Sequence, residues 1–319
     1  MELTAPGPTW VRRSAITALA ALALAGCSDG SDTPTAAAAA DDQLSRVEAR
    51  GTLVLSTDLD YAPQSYAVPG ARRAGGSRCE VDQLTGSEVS GFDAETGKAV
   101  AKALGVEPCF VSPSWVEITA GGWDGRWDLS FGSGAIEADR LAKLHVTQPY
   151  YALPAHLYVP EPSTVRTPED LTGARVGACA SCSHESYLRG RLNVPGFSGG
   201  YRVVDAKVVT YAVEAPGLAA TDRGELDAFL CSEQVGDRAV HDGARLRRVD
   251  GPLFVELATG WVDRGSDLDV TSFVRRVDAA VVDLHQRGVL ARMSRHWFGR
   301  DYTPAAADFD MSSLPGEDR

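Results

Sequence analysis

Predicted β-strands and α-helices alternate along this chain, and the alternation starts a second time after Tyr151. In the first series, the strand TLVLSTD is followed by a helix over Asp93–Leu104, which Asp93 could cap and Gly105 could end. In the second series, the strands ARVGACA, VVDAKVVTY and LDAFLCS are separated by helices, one of them over Pro216–Arg223. Because alternating strands and helices build helix-covered parallel sheets, the pattern predicts an α/β fold with mainly parallel pairing.

The chain is long enough for two domains, with 319 residues of which 44% are apolar. Near Leu253 the pattern returns toward the first series, which predicts two lobes with two crossings between them. We assign residues 43–155 and 257–303 to lobe 1 and residues 156–256 to lobe 2. The last residues, 304–319, are acidic and alanine-rich, and for them we predict a disordered tail.

The first residues carry the features of an export signal. Two arginines precede an apolar run over residues 15–25, which is shorter than the roughly 20 residues that a membrane-spanning helix needs. The run ends in Leu-Ala-Gly before Cys27, which resembles the bacterial lipobox. We therefore predict that residues 1–26 are a signal peptide, that Cys27 is diacylated, and that residues 27–42 are a flexible linker. The lipid would be the chain's only contact with the membrane. It would anchor the exported chain at the outer face of the cell membrane, or in the periplasm. An ordinary cleaved signal with a coincidental cysteine is the alternative.

The acidic balance of the chain bears on its partners. A formal net charge of −12 argues against the basic surface that binds nucleic acid. We therefore predict that the chain handles a small-molecule solute and does not bind nucleic acid.

Export places the other cysteines in an oxidising compartment, where thiols can pair. Once Cys27 is set aside, an odd number remains, so one thiol should stay unpaired. The remaining cysteines are Cys79, Cys109, Cys179, Cys182 and Cys231. Cys79 lies in the irregular, glycine- and arginine-rich segment 67–90, and a loop of that length is typical of a functional lid or of disorder.

Several stretches of the chain together resemble the family 3 extracellular solute-binding proteins, the receptors of polar amino-acid ABC importers. They are GTLVLSTDLDYAP, GFDAETGKAVAKALGV, WDLSFGSGAIEADR, QPYY, LTGARVG, LDAFL and GVLARMSRHWFG, in this order between Leu44 and Asp301. The resemblance implies a two-lobed, type II periplasmic-binding-protein-like fold, with two hinge crossovers and a ligand cleft between the lobes. It also implies a monomeric receptor whose partner is an ABC permease, with no catalytic residues and no cofactor.

The stretch SFGSGAIEADR places two glycines directly ahead of one arginine. In an open α/β sheet, ligands lie at the carboxyl ends of strands, where the two glycines would let the backbone approach them. Ser133 would offer its carbonyl and hydroxyl, and the planar guanidinium of Arg140 would bind a carboxylate through two hydrogen bonds. The alternative for Arg140 is a surface helix position, paired with Glu137 or Asp139.

The resemblance assigns further ligand contacts by position. Groups that follow strands of lobe 1 would enclose the body of the ligand, and a turn in lobe 2 would close over its carboxylate. These residues are Asp58, Tyr61 and Trp115 in lobe 1 and Cys182 and Ser183 in lobe 2. Core packing is the alternative for Tyr61 and Trp115.

Two positions depart from the family pattern. Ala135 stands where relatives usually carry serine or threonine, and Ser232 stands where they hold an aspartate against the α-ammonium group of the ligand. We include both positions in the predicted ligand site, although one hydroxyl contact and one salt link are missing. The predicted solute is therefore an amino acid or a related small carboxylate, and a modified amino acid, an amine-poor carboxylate and a small peptide-like solute stay open.

The resemblance also suggests disulfide partners, because it places the strands that end near Cys179 and Cys231 side by side. We predict one disulfide from Cys231 to Cys182 or Cys179, and another from Cys79 to Cys109. The second bond would pin the irregular segment beside the cleft, as an extra wall.

The stretch CASCSH also allows a zinc or a redox interpretation, since thiolates and His184 are zinc ligands and CxxC is a redox signature. An oxidising compartment and the lack of a second CxxC in the sequence argue against both. We therefore expect no metal site.

Two other functions stay open on the same fold. An enzyme of the dehydratase or cell-wall lytic type would need an acid or base near its substrate. The candidates are Asp58, Glu117, Glu233, His156 and His184. A sensory solute-binding lipoprotein would have no importer. The main prediction is a receptor without catalytic activity, whose open and closed forms are in an equilibrium that the solute shifts.

Overall fold

The computed structural model describes residues 42–314. The predicted signal peptide, the acylation site at Cys27 and nearly all of the predicted linker lie outside these residues. Within the described part of the chain, no helix is both long enough and apolar enough to cross a membrane.

The described helices and strands alternate as the sequence pattern predicts. In chain order, the helices are α1 (Gln43–Arg50), α2 (Phe92–Leu104), α3 (Trp115–Ala120), α4 (Ala138–Leu141), α5 (Ser183–Leu188), α6 (Glu214–Asp222), α7 (Glu233–His241), α8 (Thr271–Gln286), α9 (Val289–Phe298) and α10 (Pro304–Ala307). The strands are β1 (Thr52–Ser56), β2 (Asp60–Tyr61), β3 (Ser65–Ala67), β4 (Leu84–Thr85), β5 (Val89–Ser90), β6 (Glu107–Val111), β7 (Leu129–Ser130), β8 (Leu144–Val146), β9 (Tyr151–Pro160), β10 (Arg175–Cys179), β11 (Lys207–Tyr211), β12 (Ala228–Ser232), β13 (Leu246–Arg248), β14 (Phe254–Ala258) and β15 (Trp261–Asp263). Short 3-10 helices cover Pro168–Leu171 and Met311–Ser313.

Lobe 1 is built on a mixed sheet with the strand order β4-β6-β1-β7-β15-β8. Strand β1 pairs in parallel with β6 and β7, whereas β4, β15 and β8 pair antiparallel with their neighbours. Leu53 from β1, Phe92 from α2 and Phe273 from α8 are fully buried in one core on this sheet. Because β1 and β7 are parallel neighbours, the loops that follow them emerge side by side at one edge of the sheet.

Lobe 2 is built on a second sheet with the strand order β11-β10-β12-β9-β13, and β14 also pairs with β9. Strand β10 lies between the parallel strands β11 and β12, and β9 is antiparallel to β12, β13 and β14. Val176, Leu157 and Leu230 belong to the core of this lobe. The sheet therefore combines a parallel centre with antiparallel strands. The prediction of mainly parallel pairing was wrong, because the crossover strands and several edge strands of the two sheets pair antiparallel.

Two antiparallel strands connect the lobes. Strand β9 contributes Tyr151 and Leu153 to the core of lobe 1 and Ala155 to the core of lobe 2. Strand β14 runs back beside it, with Phe254 in the core of lobe 2 and Ala258 in the core of lobe 1. These strands are the two hinge crossovers, and the change from one core to the other lies next to the predicted lobe boundaries.

Helix α2 has a different N-terminus from the one predicted. Its cap is Gly91, and Asp93 lies fully buried within the first turn. The carboxylate of Asp93 accepts hydrogen bonds from the hydroxyls of Ser133 at 2.6 Å and Tyr150 at 2.8 Å. The prediction of Asp93 as a cap was therefore wrong, because its carboxylate is hydrogen-bonded to buried hydroxyl groups of remote segments. Gly105 ends the helix in the left-handed region, as predicted.

The irregular segment 67–90 belongs to the edge of lobe 1. Its strand β4 pairs antiparallel with β6, and a disulfide joins Cys79 to Cys109 on β6, which confirms this predicted pair. The structure describes the whole segment, and none of its residues lines the cavity between the lobes. The prediction that the segment walls the cleft was wrong, because β4 and the disulfide hold it against β6.

The predicted disordered tail over residues 304–319 is folded through Leu314. Helix α10 contains the buried Ala306, whose carbonyl accepts a hydrogen bond from the Gln148 side chain at 2.7 Å. Met311 and Leu314 are buried as well. The prediction failed because composition does not show that the tail packs against a remote segment of the same chain, such as the one that contains Gln148. The residues after Leu314 lie outside the described part of the chain.

The segment after α9 connects both lobes, and we term residues 300–314 the C-terminal strap. Arg300 Nη1 and the Tyr302 hydroxyl each donate to Glu233 Oε1 at the start of α7, at 2.9 and 2.8 Å. The carbonyl of Tyr302 accepts a hydrogen bond from the Ala152 amide on β9 at 2.8 Å. The strap therefore holds a lobe 2 helix and a crossover strand together.

Candidate functional site

One cavity lies between the lobes, at the carboxyl ends of β1, β7, β10 and β11, and we term it the interlobe cavity. It has a volume of about 530 Å³, counting the space open to solvent. Lobe 1 lines it with Asp58, Tyr61, Trp115, Gly132, Ser133, Ala135 and Arg140. Lobe 2 lines it with Cys179, Cys182, Ser183, His184, Ala212, Val213 and Glu214, and β14 adds Glu256. A cavity of this size suits a small-molecule ligand.

The structure brings the predicted ligand-contact residues together, with Ser232 as the exception. Ser232 is fully buried at the end of β12, and its hydroxyl oxygen lies 3.3 Å from the Tyr61 hydroxyl oxygen of lobe 1. It therefore lies behind Tyr61 and outside the set of residues that line the cavity. The other predicted contacts all line it.

Ser133 has its hydroxyl engaged within lobe 1. The hydroxyl donates to the Asp93 carboxylate at 2.6 Å and lies 2.5 Å from the Tyr151 hydroxyl. The Ser133 amide donates to the Tyr150 hydroxyl at 2.9 Å, and the residue adopts a positive φ of 55°. Burial raises the pKa of Asp93 to about 7, against the effect of its two hydrogen bonds. This network fixes the turn and leaves the Ser133 backbone, rather than its hydroxyl, to face a solute.

The two glycines of the turn have different roles. A Cβ atom at Gly134 would lie 2.1 Å from the indole ring of Trp261, so no side chain fits there. A Cβ atom at Gly132 would meet no heavy atom closer than 3.9 Å, and Gly132 lines the cavity. Gly134 is therefore required by the packing of Trp261, and Gly132 is the glycine that brings bare backbone to the cavity.

Arg140 is buried between two indole rings, with its guanidinium carbon 5.4 Å from the ring centre of Trp115 and 5.3 Å from that of Trp261. Its Nη2 lies 3.0 Å from Glu137 Oε2, so the ion pair considered as the alternative is present. The position is nevertheless buried in α4 and lines the cavity, rather than lying on the surface. The guanidinium also donates to the carbonyl of Ser181 in lobe 2 at 3.2 Å.

Contacts between the lobes surround the cavity. Trp115 Nε1 donates to the same Ser181 carbonyl at 3.2 Å. The Ala138 amide donates to the Asn193 carbonyl at 3.3 Å. Because residues of both lobes are in direct contact here, the structure represents a closed arrangement of the cleft.

The cysteines of lobe 2 pair differently from the prediction. A disulfide joins Cys179 to Cys182, with their Cα atoms 5.7 Å apart, and Cys231 is a buried free thiol. Cys231 packs in a separate apolar cluster with Tyr158 and Leu218. The predicted bond from Cys231 was wrong, because the turn after β10 returns Cys182 to Cys179 and Cys231 is buried in a different cluster.

Two buried carboxylates in the cavity were missed by the sequence analysis. Glu214 is the first residue of α6, and among the described residues neither of its carboxylate oxygens has a hydrogen-bond partner. Burial and the charges of Glu256 and Asp58 raise the pKa of Glu214 to about 8. Burial raises the pKa of Glu256 to about 7, although a hydrogen bond from Ser183 and the charge of Arg140 lower it. The signal for Glu214 was its place directly after a predicted strand.

His184 lies beside these groups in a desolvated position. Its side chain is almost fully buried, and Nε2 has no hydrogen-bond partner within residues 42–314. Burial, and then the charge of Arg140, lower the pKa of His184 to about 3. The imidazole is therefore neutral at pH 7.

Three of the groups considered for catalysis lie elsewhere. Glu117 is on the surface in α3, where it accepts a hydrogen bond from the Ser114 amide and pairs with Arg126 at 3.1 Å. Glu233 is buried at the start of α7, 3.2 Å from His156, and neither lines the cavity. The carboxylates in the cavity are Asp58, Glu214 and Glu256.

Comparison with known proteins gives consistent results. Residues 79–300 match the family model of the bacterial extracellular solute-binding proteins, family 3. The L-cystine-binding protein TcyJ of Escherichia coli (strain K12) is 26% identical over 262 residues, which cover 82% of this chain and 87% of that protein.

Solved structures share the same fold. A substrate-binding protein of an ABC uptake transporter from Streptococcus pneumoniae, with bound histidine, has a TM-score of 0.65 at 17% identity, over 83% of this chain and 99% of that one. An ancestral amino acid-binding protein, AncCDT-1, described as a precursor of cyclohexadienyl dehydratase, has a TM-score of 0.65 at 21% identity, over 81% of this chain and 99% of that one. The predicted two-lobed, type II fold is confirmed.

Proposed function

Because the chain belongs to the bacterial extracellular solute-binding proteins of family 3, we propose that it captures an amino acid and delivers it to an ABC permease. The observation that carries this proposal is the composition of the interlobe cavity. One guanidinium, from Arg140, and two buried carboxylates, from Glu214 and Glu256, line the same space. An amino acid has the complementary pair of charges.

Arg140 is the group that would bind the solute carboxylate. A guanidinium has five N–H donors in one plane, and its contacts with the described residues use fewer than these. Trp115 and Trp261 lie on either side of the guanidinium and restrict its orientation. The group is therefore positioned before the solute arrives, which reduces the entropy cost of a bidentate contact.

Glu214 is the group that would bind the solute ammonium. The aspartate that relatives use is Ser232 here, so the expected counter-charge is missing from the end of β12. Glu214 supplies a carboxylate shortly after β11, two strands away from β12 in the same sheet, with both oxygens unpartnered among the described residues. A buried carboxylate without a partner costs free energy, and an ammonium group would recover it. An α-amino acid is therefore compatible with this cavity despite the loss of the usual aspartate.

Closure of the cleft would follow from these contacts. Arg140 belongs to lobe 1 and Glu214 to lobe 2, so one solute held by both bridges the lobes. A solute that makes both contacts only in the closed form shifts the equilibrium toward that form. The closed receptor, which we propose to be a monomer anchored through the lipid on Cys27, would then dock on the permease.

The proposal can be tested with the purified mature chain. Thermal-shift measurements with the protein amino acids and cystine should identify a solute that raises the melting temperature by mass action. Calorimetry with that solute should then show a loss of about 30-fold or more for Arg140→Ala, because breaking a buried charge pair costs about 2–5 kcal/mol. Arg126→Ala is the matched control, since Arg126 contacts Trp127 and Glu117 away from the cavity and should keep the affinity unchanged.

Two results would contradict the proposal. If no amino acid stabilises the chain, the solute class is wrong. If Arg140→Ala binds the solute as tightly as Arg126→Ala does, the guanidinium is not the carboxylate anchor.

A further inference from the structure

The lobe 2 wall of the interlobe cavity contains a cluster of cysteine and histidine side chains. These are common metal ligands, and a solute receptor does not require them. The Sγ atoms of Cys179 and Cys182 and the Nδ1 atom of His184 lie within 4.8 Å of one another. The Nδ1 atom is 3.5 Å from the Cys179 sulfur and 3.6 Å from the Cys182 sulfur. Glu214 Oε1 lies 3.8 Å from the same nitrogen.

The two sulfur–nitrogen distances match edges of a tetrahedral zinc site. With Zn–S bonds of about 2.3 Å and Zn–N bonds of about 2.0–2.1 Å, tetrahedral angles place the sulfur and nitrogen ligands about 3.6 Å apart. Both sulfur–nitrogen distances in the cluster already have this value. The corresponding edge between nitrogen and a carboxylate oxygen is about 3.3 Å, so Glu214 Oε1, at 3.8 Å and outside the group of three ligand atoms, would have to move toward the sulfurs to supply a fourth ligand.

The burial of Glu214 and His184 is an independent observation that points to a ligand. Their side chains are 4% and 3% exposed. Among residues 42–314, both carboxylate oxygens of Glu214 and the Nε2 atom of His184 have no hydrogen-bond partner. Buried polar groups are nearly always paired, so the unpaired Glu214 oxygens beside two sulfurs point to a ligand, whereas His184 Nε2 would stay unpaired when Nδ1 binds a metal.

We propose that reduction of the Cys179–Cys182 disulfide creates a Zn²⁺ site whose ligands are Cys179, Cys182, His184 and Glu214. In the oxidised chain the sulfurs are bonded to each other and do not act as thiolate ligands. A phosphine supplies two electrons and becomes its oxide by taking oxygen from water, the S–S bond breaks, and each sulfur takes up one proton from that water. Zn²⁺ then displaces the thiol protons to the solvent as the thiolates bind it. The site is therefore present in one redox state of the chain and absent in the other.

A consequence is competition between zinc and the solute. Glu214 is a ligand of the proposed metal site and also lines the cavity of the proposed amino-acid site. Zn²⁺ bound at Glu214 would occupy the carboxylate with which a solute ammonium would pair. The reduced, zinc-loaded chain should therefore bind a cationic group poorly in this cavity.

The test uses the mature chain before and after reduction with a water-soluble phosphine. The phosphine breaks the S–S bond and takes oxygen from water to become the phosphine oxide, which leaves two thiols. After the reductant has been removed without air, Zn²⁺ affinity is measured by competition with a chromophoric chelator. The reduced chain should bind one equivalent of Zn²⁺ tightly, and the oxidised chain should bind none at the same concentration.

Variants distinguish this site from the other thiols. His184→Ala and Cys179→Ser should each weaken zinc binding more than about 100-fold, since loss of a mere second-shell partner already costs about 10–100-fold. The matched control is the double variant Cys79→Ser and Cys109→Ser, which removes the other disulfide and should bind zinc as the reduced native chain does. Glu214→Gln should weaken binding about 10-fold or more.

Three outcomes would overturn the proposal. They are equal zinc binding by the oxidised and reduced chains, no binding by the reduced chain, and undiminished binding by His184→Ala. Circular dichroism spectra establish that each variant is folded, and if Cys179→Ser is not, His184→Ala decides. No solute enters the zinc measurement, so its result is independent of whether the chain binds an amino acid.

Discussion

Replacing Glu214 with glutamine should remove a large part of the pH dependence of folding stability. Burial, followed by the charges of Glu256 and Asp58, raises the pKa of Glu214 from its ordinary value of 4.5 to about 8. The folded chain therefore keeps a proton that the unfolded chain releases above about pH 4.5. Because the folded state binds more protons, the free energy of unfolding falls as pH rises from about 4.5 to about 8, and it is constant above that range.

The magnitude follows from the two pKa values. Each pH unit between them corresponds to about 1.4 kcal/mol, so Glu214 lowers the free energy of unfolding by roughly 5 kcal/mol between about pH 4.5 and pH values above about 8. Glutamine has nearly the same shape and no charge. At pH 8, Glu214→Gln should therefore have a free energy of unfolding several kcal/mol above that of the native chain, whereas the two should nearly agree at pH 5. The pKa of Glu256 should also decrease in the variant, because a neighbouring charge has been removed.

Urea unfolding of the solute-free chain, repeated across this pH range, measures the effect. The control is Glu225→Gln, which removes an exposed carboxylate paired with Arg223 on the surface. This control should keep the pH dependence of the native chain. If Glu214→Gln shows the same decrease in stability with pH as the native chain, Glu214 is ionised in the folded state at ordinary pH, and the account of an unpartnered, protonated carboxylate is refuted.

Two structural features give further predictions. Gly134→Ala should destabilise the chain by about 1–3 kcal/mol, because its Cβ would overlap the indole ring of Trp261. Gly132→Ala should have a much smaller effect. Equal unfolding midpoints for the two variants would contradict the packing argument. Replacing Cys79 and Cys109 together with serine should lower the free energy of unfolding by about 3–4 kcal/mol, the value for opening a loop of 30 residues. An unchanged urea midpoint would show that the segment 67–90 is held in place without the disulfide.

Much of the fold could be predicted from the sequence, because local patterns determine it. The helix predicted over Asp93–Leu104 is α2, which spans Phe92–Leu104 and ends at the predicted Gly105, since a glycine readily adopts the left-handed conformation that closes a helix. The glycine turn and Arg140 were recognised for a similar reason, because they form one continuous motif directly after a strand. Their presence in the interlobe cavity follows from the topology of the sheet.

What the sequence did not reveal depends on contacts between remote segments. Glu214 lies after a strand, as Arg140 does, but its lack of a partner becomes visible only when Glu256 and the rest of the cavity are in place. Asp93 has the usual sequence position of a cap, yet hydroxyl groups far along the chain determine its environment. The pairing of Cys182 depends on the direction of one turn, which the apolar pattern does not encode.

Because of the C-terminal strap, the lobes are connected more strongly on one side of the cleft than on the other. On the cavity side, the lobes meet through a few contacts between single groups, such as the hydrogen bond from Arg140 to Ser181. On the opposite side, Glu233 of lobe 2 is held by both Arg300 and Tyr302, next to the continuous crossover strands. Opening on the cavity side therefore breaks only these single contacts, while the strap and the crossover strands stay in place. The C-terminal strap thus lies beside the hinge strands, although none of its residues lines the interlobe cavity.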